Sequence, residues 1–196
     1  MSGRLGHTFA TEDVAAARGN MLLGVKLGIL SEVMLFGALF AAYFVIRGES
    51  RGWPPVAGFE RPELLLPGLN TLLLVSSSGT MQWAVRTARS GDRSRIVRWL
   101  GLTLLLGGIF IVVQGYEFAT NGFGLDAGVF GSTFYILTGF HGAHVLAGLG
   151  LIAIVANRAR RGLVSAERHT AVEAASYYWH FVDAVWLFLF STLYVL

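Results

Sequence analysis

The chain has 196 residues, of which 54% are hydrophobic and only 14% are charged, and its formal net charge is +3. A soluble globular domain carries roughly 25% charged residues, so this composition excludes an ordinary water-facing surface and indicates an integral membrane protein. With no cysteine, this chain cannot form disulfides, cysteine-ligated metal centres or c-type haem attachments. The modest net charge also argues against nucleic-acid binding.

Five apolar segments follow one another along the chain, each near the roughly 20 residues that a helix needs to cross a bilayer. We expect one all-α domain over residues 21–196, a polytopic integral membrane bundle of five transmembrane helices preceded by a short cytoplasmic tail at residues 1–20. The predicted spans are residues 21–46, 66–86, 97–118, 129–157 and 174–195.

Arginines are concentrated in the loop between spans two and three and in the loop between spans four and five. The positive-inside bias therefore predicts a cytoplasmic N-terminus and an external C-terminus. The loop after span one, which contains Trp53, is expected at the opposite interface. The Arg-rich loops contain Arg86, Arg89, Arg93, Arg95 and Arg98, and then Arg158, Arg160, Arg161 and Arg168.

Small residues recur every four positions in two spans: Gly24 and Gly28 in span one, and Gly139, Ala143 and Ala147 in span four. Such a stripe lets another backbone approach closely, which predicts a tight helix or subunit interface. The alternative is that small residues are simply frequent in a chain with 25 glycines.

Several ionisable residues lie inside the predicted spans, where each costs on the order of 3 kcal/mol on insertion scales. At 1.5 Å rise per residue, Glu32, His144 and Asp183 lie about 13–18 Å from the cytoplasmic ends of their spans and are expected to share a layer. Two histidines of span four, and a histidine and an aspartate of span five, are spaced i,i+3 on one helix face. The polar candidates are Glu32, Glu117, His141, His144, His180 and Asp183.

The residues alone leave three interpretations of this layer open. The first is a metal site held by several helices, although the Glu-x-x-His motif of bundle-core di-iron sites is absent. The second is a proton path or transport site, a common use of intramembrane carboxylates. The third is a set of polar groups that satisfy one another, fix helix packing or contact lipid.

The motifs "SEVMLFGALFAAYF", "WPP", "LNTLLLVSSSG", "QGYEF", "GSTFYILTGFHGAHVLAGL" and "SYYWHFVDAVWLFLF" resemble, in order, subunit III of cytochrome c oxidase. The resemblance covers residues 19–196. Longer members of that family have seven spans, and this chain resembles the last five. The lipid-filled cleft that longer members build with their first two helices must therefore be formed differently here or lie open to the bilayer.

The resemblance implies a subunit of a respiratory enzyme that has no redox centre of its own and resides in the bacterial plasma membrane. Haem and copper are expected in partner subunits I and II, and none in this chain. The resemblance further implies direct packing against subunit I, structural phospholipid, and support of turnover and proton uptake.

For individual residues, the resemblance implies that Glu32 is the family's intramembrane carboxylate. We expect it to be protonated or hydrogen-bonded to a nearby histidine, with either a proton-buffering or a purely structural role. His180 and Asp183 are expected to hold span five against its neighbours, with Trp179 and Trp186 packing alongside. No catalytic residue and no metal ligand is implied. The polar groups expected to make helix contacts or lipid contacts are Glu117, His141, His144, His180 and Asp183.

Other functions remain open at this point. Subunit III of a quinol oxidase also commonly has five spans, although "SEVM", "LNT" and "YWHFVD" look more like the cytochrome c branch. A nitric-oxide-reductase accessory protein of the same family is a further alternative. A stand-alone membrane metalloprotein or proton transporter belongs to a different functional class, and would bind metal or move protons when purified alone.

Overall fold

A computed structural model describes residues 3–50, 64–125 and 127–196, with side chains from residue 16 onward. Within these ranges the chain is helical and contains no strand, which confirms the all-α prediction. The predicted interfacial loop around Trp53 lies outside the described residues. The elements are α1 (Gly3–Glu49), α2 (Leu65–Ser90), α3 (Arg93–Thr120), α4 (Gly128–Arg160), α5 (Thr170–Phe190) and a terminal π-helical turn (Ser191–Val195).

Helices α1 to α4 are longer than the predicted spans, whereas α5 ends at Phe190, where the π-helical turn begins. Helix α1 begins at Gly3, so most of the predicted tail is continuous with the first helix, and α2 continues to Ser90. A helix keeps its backbone hydrogen bonds after it leaves the hydrocarbon layer. Apolar composition therefore locates the part of the helix suited to lipid and misses its polar extensions.

Helices α2, α3, α4 and α5 form a closed four-helix arrangement in which each contacts its two neighbours, while α1 packs outside against α5 and α4. A tight turn joins α2 to α3. Gly91 takes the left-handed conformation there (φ 75°), and Asp92 caps α3 by accepting a hydrogen bond from the Arg95 amide at 3.1 Å. At the other end of the bundle, the Tyr43 hydroxyl of α1 donates to the Thr192 carbonyl at 3.0 Å.

Two tryptophans of α5 occupy the centre of the bundle, and both are fully buried. The Trp179 ring lies directly against the backbones of α3 and α4. A Cβ added at Gly107 would lie 2.7 Å from this ring, and one added at Gly148 would lie 2.9 Å from it. By contrast, a Cβ added to any of three glycines of the predicted stripes would meet no neighbouring atom of the described chain within 4 Å. These are Gly24, Gly28 and Gly139. In the described part of the chain, the Trp179 ring therefore comes close to the backbones of two other helices.

Four stretches of the described helices are long and apolar enough to cross a membrane: Ala16–Glu49, Arg93–Thr120, Gly128–Arg160 and Thr170–Val195. Helix α2 is not among them. Its buried face carries polar side chains, including Asn70, Thr71, Ser77 and Ser78, which lower its overall hydropathy. The predicted count of five spans and the orientation of the termini remain predictions.

Candidate functional site

Glu32 of α1 and His144 of α4 are joined by a hydrogen bond of 2.9 Å between Glu32 Oε2 and His144 Nε2. The other ring nitrogen, Nδ1, lies 2.7 Å from the Phe140 carbonyl. A carbonyl only accepts, so Nδ1 carries a hydrogen. The Glu32–His144 contact therefore holds one shared proton: a neutral carboxyl donates to Nε2, or a protonated imidazole donates to the carboxylate. The expected hydrogen bond between Glu32 and a nearby histidine is present.

Phe36, one turn along α1 from Glu32, packs edge-on against the His144 ring with centroids 5.0 Å apart. The Tyr178 hydroxyl of α5 lies 3.4 Å from the His144 carbonyl. Contacts from α1 and α4 therefore hold the imidazole, and α5 contacts the backbone of the same residue. The Glu32 side chain is 35% exposed and that of His144 14%, so the carboxyl is reachable from outside the bundle while its partner is largely covered.

A groove of about 380 Å³ runs between α1, α4 and α5 and reaches Glu32. Its walls are mostly aliphatic, and Arg158 lines it near the end of α4. Residues lining the groove include Met21, Ile29, Glu32, Leu151, Arg158 and Tyr178. An aliphatic channel with a cation toward one end and a carboxyl within it suits a lipid chain or a short file of water.

The i,i+3 histidine pair of α4 is divided between two environments. His141 is fully buried and stacks on Trp186, with centroids 5.0 Å apart, and its edge contact with Phe110 has a centroid distance of 6.0 Å. His144 faces α1. Neither ring nitrogen of His141 has a hydrogen-bond partner among the described residues. Residues three apart differ by about 60° around a helix, which is enough to face different neighbours in a tightly packed bundle.

The i,i+3 pair of α5, His180 and Asp183, faces a single neighbour, α2. His180 Nε2 lies 3.4 Å from Gln82 Oε1, and Nδ1 lies 3.3 Å from Ser78 Oγ. Because an amide oxygen only accepts, Nε2 is the donor in the contact with Gln82. Asp183 interacts with the same Ser78 and with His180. Asp183 therefore contacts α2, whereas Glu32 and His144 join α1 to α4.

Both buried tryptophans also donate hydrogen bonds to α2. Trp179 Nε1 donates to Ser77 Oγ at 3.0 Å, and Trp186 Nε1 donates to Thr71 Oγ1 at 2.9 Å. The sequence analysis did not assign these acceptors a role. The signal was available in "LNTLLLVSSSG", in which polar residues recur about seven positions apart and so share one helix face.

Glu117 lies near the end of α3 and is buried, as is Gln114 one turn earlier. Both interact with Tyr194 in the π-helical turn. Glu117 Oε2 and the Gln114 amide atoms have no direct hydrogen-bond partner among the described residues. The carboxyl therefore lies inside the bundle, close enough to the chain that follows α5 for its charge to act on Tyr194.

A further polar cluster, which the sequence analysis missed, surrounds Glu173 in the first turn of α5. Arg18 of α1 contacts Glu173 Oε2 at 2.8 Å, while Arg89 of α2 and His169 Nε2 each contact Oε1 at 3.3 Å. The Glu173 side chain is only 7% exposed. One buried carboxylate thus gathers cationic side chains from two other helices at the Arg-rich end of the bundle. In the described part of the chain, no group of three His, Asp or Glu residues is placed to hold a metal ion.

Comparison with known proteins agrees with this arrangement. The family model for cytochrome c oxidase subunit III matches residues 5–196. A protein named cytochrome c oxidase subunit 3 from Thermostichus vulcanus is 43% identical over 176 residues, which cover 89% of this chain and 87% of that protein.

Two further relatives carry the same name. The protein from Synechocystis sp. is 40% identical over 200 residues, covering 100% of this chain and 85% of that protein. The protein from Sus scrofa is 35% identical over 192 residues, covering 95% of this chain and 74% of that protein. The long apolar helices and these relatives together make the chain a membrane-embedded protein. It belongs to the cytochrome c oxidase subunit III family, which supplies a subunit of haem–copper oxidases.

Proposed function

We propose that the chain is the five-span subunit III of a cytochrome c oxidase in a bacterial plasma membrane, without a redox centre of its own and packed directly against subunit I. Membership of this family implies a multi-subunit oxidase complex. In this proposal haem and copper reside in subunits I and II, while this chain supports proton uptake, carries structural phospholipid and stabilises subunit I.

The distribution of side chains on α2 supports its role as the fifth span. Its 26 residues are long enough for a hydrocarbon core of about 30 Å. Leu65, Leu69 and Leu72 are exposed on its outer surface. The buried polar side chains of α2 point inward, where Asn70 meets α3 and Thr71 and Ser77 meet α5. A helix with this distribution presents lipid with an apolar surface even though its mean hydropathy is low.

The 2.9 Å contact between Glu32 and His144 is the observation that carries the functional proposal. Placing a carboxyl group inside a membrane costs free energy, so such a group is a candidate for a functional role. Here the carboxyl lies at a groove and has a partner that can hold the proton in its place. The proton can pass between the carboxyl and the imidazole while the pair stays neutral. When the pair takes up or releases a proton its net charge changes by one, and the partner side chain lies within hydrogen-bond distance of the group that becomes charged, which suits buffering of proton uptake by a neighbouring subunit.

The contacts of His180, Asp183, Trp179 and Trp186 with α2 support the proposed packing role of these residues. All four side chains leave one helix and reach the same neighbour. For Glu117 and His141 we propose packing roles as well, at the α3 and α4 faces toward the end of α5. Their side chains are buried within this chain, so they do not contact lipid.

The identity of the complex can be tested by purifying the tagged chain from its host in a gentle detergent. We expect stoichiometric haem-containing subunits and haem a bands in the reduced-minus-oxidised spectrum. Haem b and haem o bands, without a copper-bearing subunit II, would instead assign the chain to a quinol oxidase. Recovery of the chain with no haem-containing partner would contradict the proposal.

The role of Glu32 can be tested in the same complex reconstituted in vesicles. The variant Glu32→Gln keeps the shape of the side chain and removes the exchangeable proton. We expect fewer protons pumped per electron, or faster loss of activity during turnover, with an unchanged haem spectrum. Ser31→Ala is the control, because Ser31 is exposed and bonds only within α1, to the Leu27 carbonyl. Equal behaviour of the two variants would leave Glu32 with a structural role only.

A further inference from the structure

A second pocket, of about 590 Å³, lies between the end of α2 and the start of α3 and shares no residue with the groove at Glu32. Three arginines and two tryptophans dominate its lining, and an aliphatic side chain closes the end that continues along α3. These residues are Arg86, Arg95, Arg98, Trp83, Trp99 and Leu102.

The two tryptophans form a stacked pair, with ring centroids 6.0 Å apart and planes 22° from parallel. The Trp83 side chain is 51% exposed. The Arg86 guanidinium lies 5.1 Å from the centroid of the Trp83 ring. Half-exposed tryptophans beside arginines are typical of the level at which lipid headgroups meet the hydrocarbon layer.

The positive charge of this pocket is only partly compensated. Arg95 pairs with Asp92 at 3.1 Å. Arg86 and Arg98 form no ion pair with any carboxylate of the described residues, and the hydrogen bond of the Arg98 side chain is to a serine. Nearby at the same end of the bundle, Arg89 reaches Glu173. The pocket therefore holds about two unneutralised guanidinium groups and attracts an anion.

The surface that leads away from the pocket is apolar. Leu102, Leu105 and Ile109 are exposed on α3 and follow one another at i, i+3 and i+7, so they form one stripe along the helix toward the centre of the predicted span. A ligand with an anionic head in the pocket and a hydrocarbon tail on this stripe satisfies both surfaces. A soluble anion would leave the stripe unused.

We propose that this pocket binds the headgroup of an anionic phospholipid. The Arg86 and Arg98 guanidinium groups donate hydrogen bonds to the phosphate oxygens, and an acyl chain lies along the stripe on α3. Planar guanidinium groups bind phosphate through paired hydrogen bonds. A basic side chain near a membrane surface is worth about 1 kcal/mol toward an anionic lipid, so two arginines supply roughly a tenfold or greater preference for anionic over zwitterionic lipid.

The test compares two double variants of the full chain, purified from the host membrane together with its accompanying subunits. Arg86→Gln with Arg98→Gln removes two charges from the pocket. Arg160→Gln with Arg161→Gln removes two charges from exposed positions at the end of α4, outside the pocket. Co-purified phospholipids are identified by mass spectrometry. The preparations are then delipidated, and phosphatidylglycerol and phosphatidylcholine are titrated in separate nanodisc series.

We expect the pocket variant to lose one anionic phospholipid per chain and about tenfold or more in preference for phosphatidylglycerol, while the control variant keeps both. Equal lipid content and equal lipid preference in the two variants would overturn the proposal. A zwitterionic lipid retained at this site by the wild-type protein would overturn it as well.

The last experiment adds inorganic phosphate at millimolar concentration as a competitor. If it displaces the lipid headgroup from the wild-type protein as effectively as phosphatidylglycerol does, the ligand is a free phosphate and the lipid assignment is wrong. None of these measurements depends on proton pumping, so the result stands apart from the proposed role of Glu32.

Discussion

Trp179 on α5 and Ser77 on α2 are joined by an indole-to-hydroxyl hydrogen bond of 3.0 Å at the centre of the bundle, and both residues are fully buried. The same indole ring fills the space above two glycines on α3 and α4. One side chain thus connects three helices to its own. A large ring gives the helices a common packing centre, and its single polar atom fixes the rotation of α5 relative to α2.

Replacing Ser77 by alanine leaves the Trp179 indole N–H buried without its acceptor. We expect a loss of about 1 kcal/mol in the free energy of unfolding, because a hydrogen bond between transmembrane helices is worth roughly that much. The measurement is unfolding of the purified chain in mixed micelles titrated with SDS. Ser76→Ala is the matched control, since Ser76 is exposed and bonds only within α2, to the Leu72 carbonyl. A loss of similar size in both variants would argue against the contact.

Replacing Gly107 by alanine places a methyl group 2.7 Å from the Trp179 ring and 2.8 Å from Leu149. The Trp179 ring, the Leu149 side chain or a helix must shift, and overpacking of this kind costs about 1–3 kcal/mol. Gly108→Ala is the control, because a Cβ at that position meets no atom within 4 Å in the described chain. Both changes have the same effect on helix propensity, so the difference between their SDS unfolding midpoints isolates the contact with Trp179. Equal midpoints would contradict the packing.

Replacing Glu173 by glutamine removes the carboxylate that gathers Arg18, Arg89 and His169. We expect the free energy of unfolding to fall by about 1–2 kcal/mol. This is less than for a fully buried ion pair, because both arginines are substantially exposed to solvent. The check is the thermal midpoint of the complex at low and high salt, and the deficit relative to wild type should shrink as salt is added. Glu167→Gln, an exposed change in the same segment, should not alter the midpoint. A deficit that is independent of salt would point to a packing effect instead.

Glu32 and His144 should behave as one unit in a double-mutant cycle. Either single change, Glu32→Leu or His144→Leu, removes the 2.9 Å hydrogen bond, so the second change has no such contact left to remove. We expect the double variant to lose less free energy of unfolding than the two single variants lose together. The difference should be about 0.6–1.7 kcal/mol. SDS unfolding of the four proteins gives this coupling free energy. Strict additivity would mean that the two side chains do not interact in the membrane.

Which helices the polar residues join was only partly predictable from sequence. That Glu32 meets a histidine was expected, and the structure identifies that histidine as His144. The sequence grouped Asp183 with them by depth, because depth follows from position along a helix. The structure instead directs Asp183 toward Ser78 on α2. Position along a span gives the height of a residue in the membrane and says nothing about which neighbouring helix lies beside it.

The cluster around Glu173 shows a second limit on what the sequence can predict. Its members come from α1, α2 and the start of α5, up to 155 residues apart in sequence. Each of them is ordinary in its local context: an arginine near a helix end, or an acid in the first turn of a helix, where it is favourable. Their common function becomes visible only when the ends of three helices are brought together.

The sequence by itself determined that this chain is a set of apolar helices, where the ionisable residues lie along them, and to which family the chain belongs. These properties follow from the apolar composition of the spans and from short motifs, both local in sequence. Tertiary structure alone decided that the two histidines of α4 face different neighbours and that the polar face of α2 holds the tryptophans of α5. It also decided that, among the described residues, two arginines beside an exposed tryptophan have no carboxylate partner. Helical periodicity fixes the direction of a side chain around its own axis, while the order and rotation of the packed helices determine what it meets there.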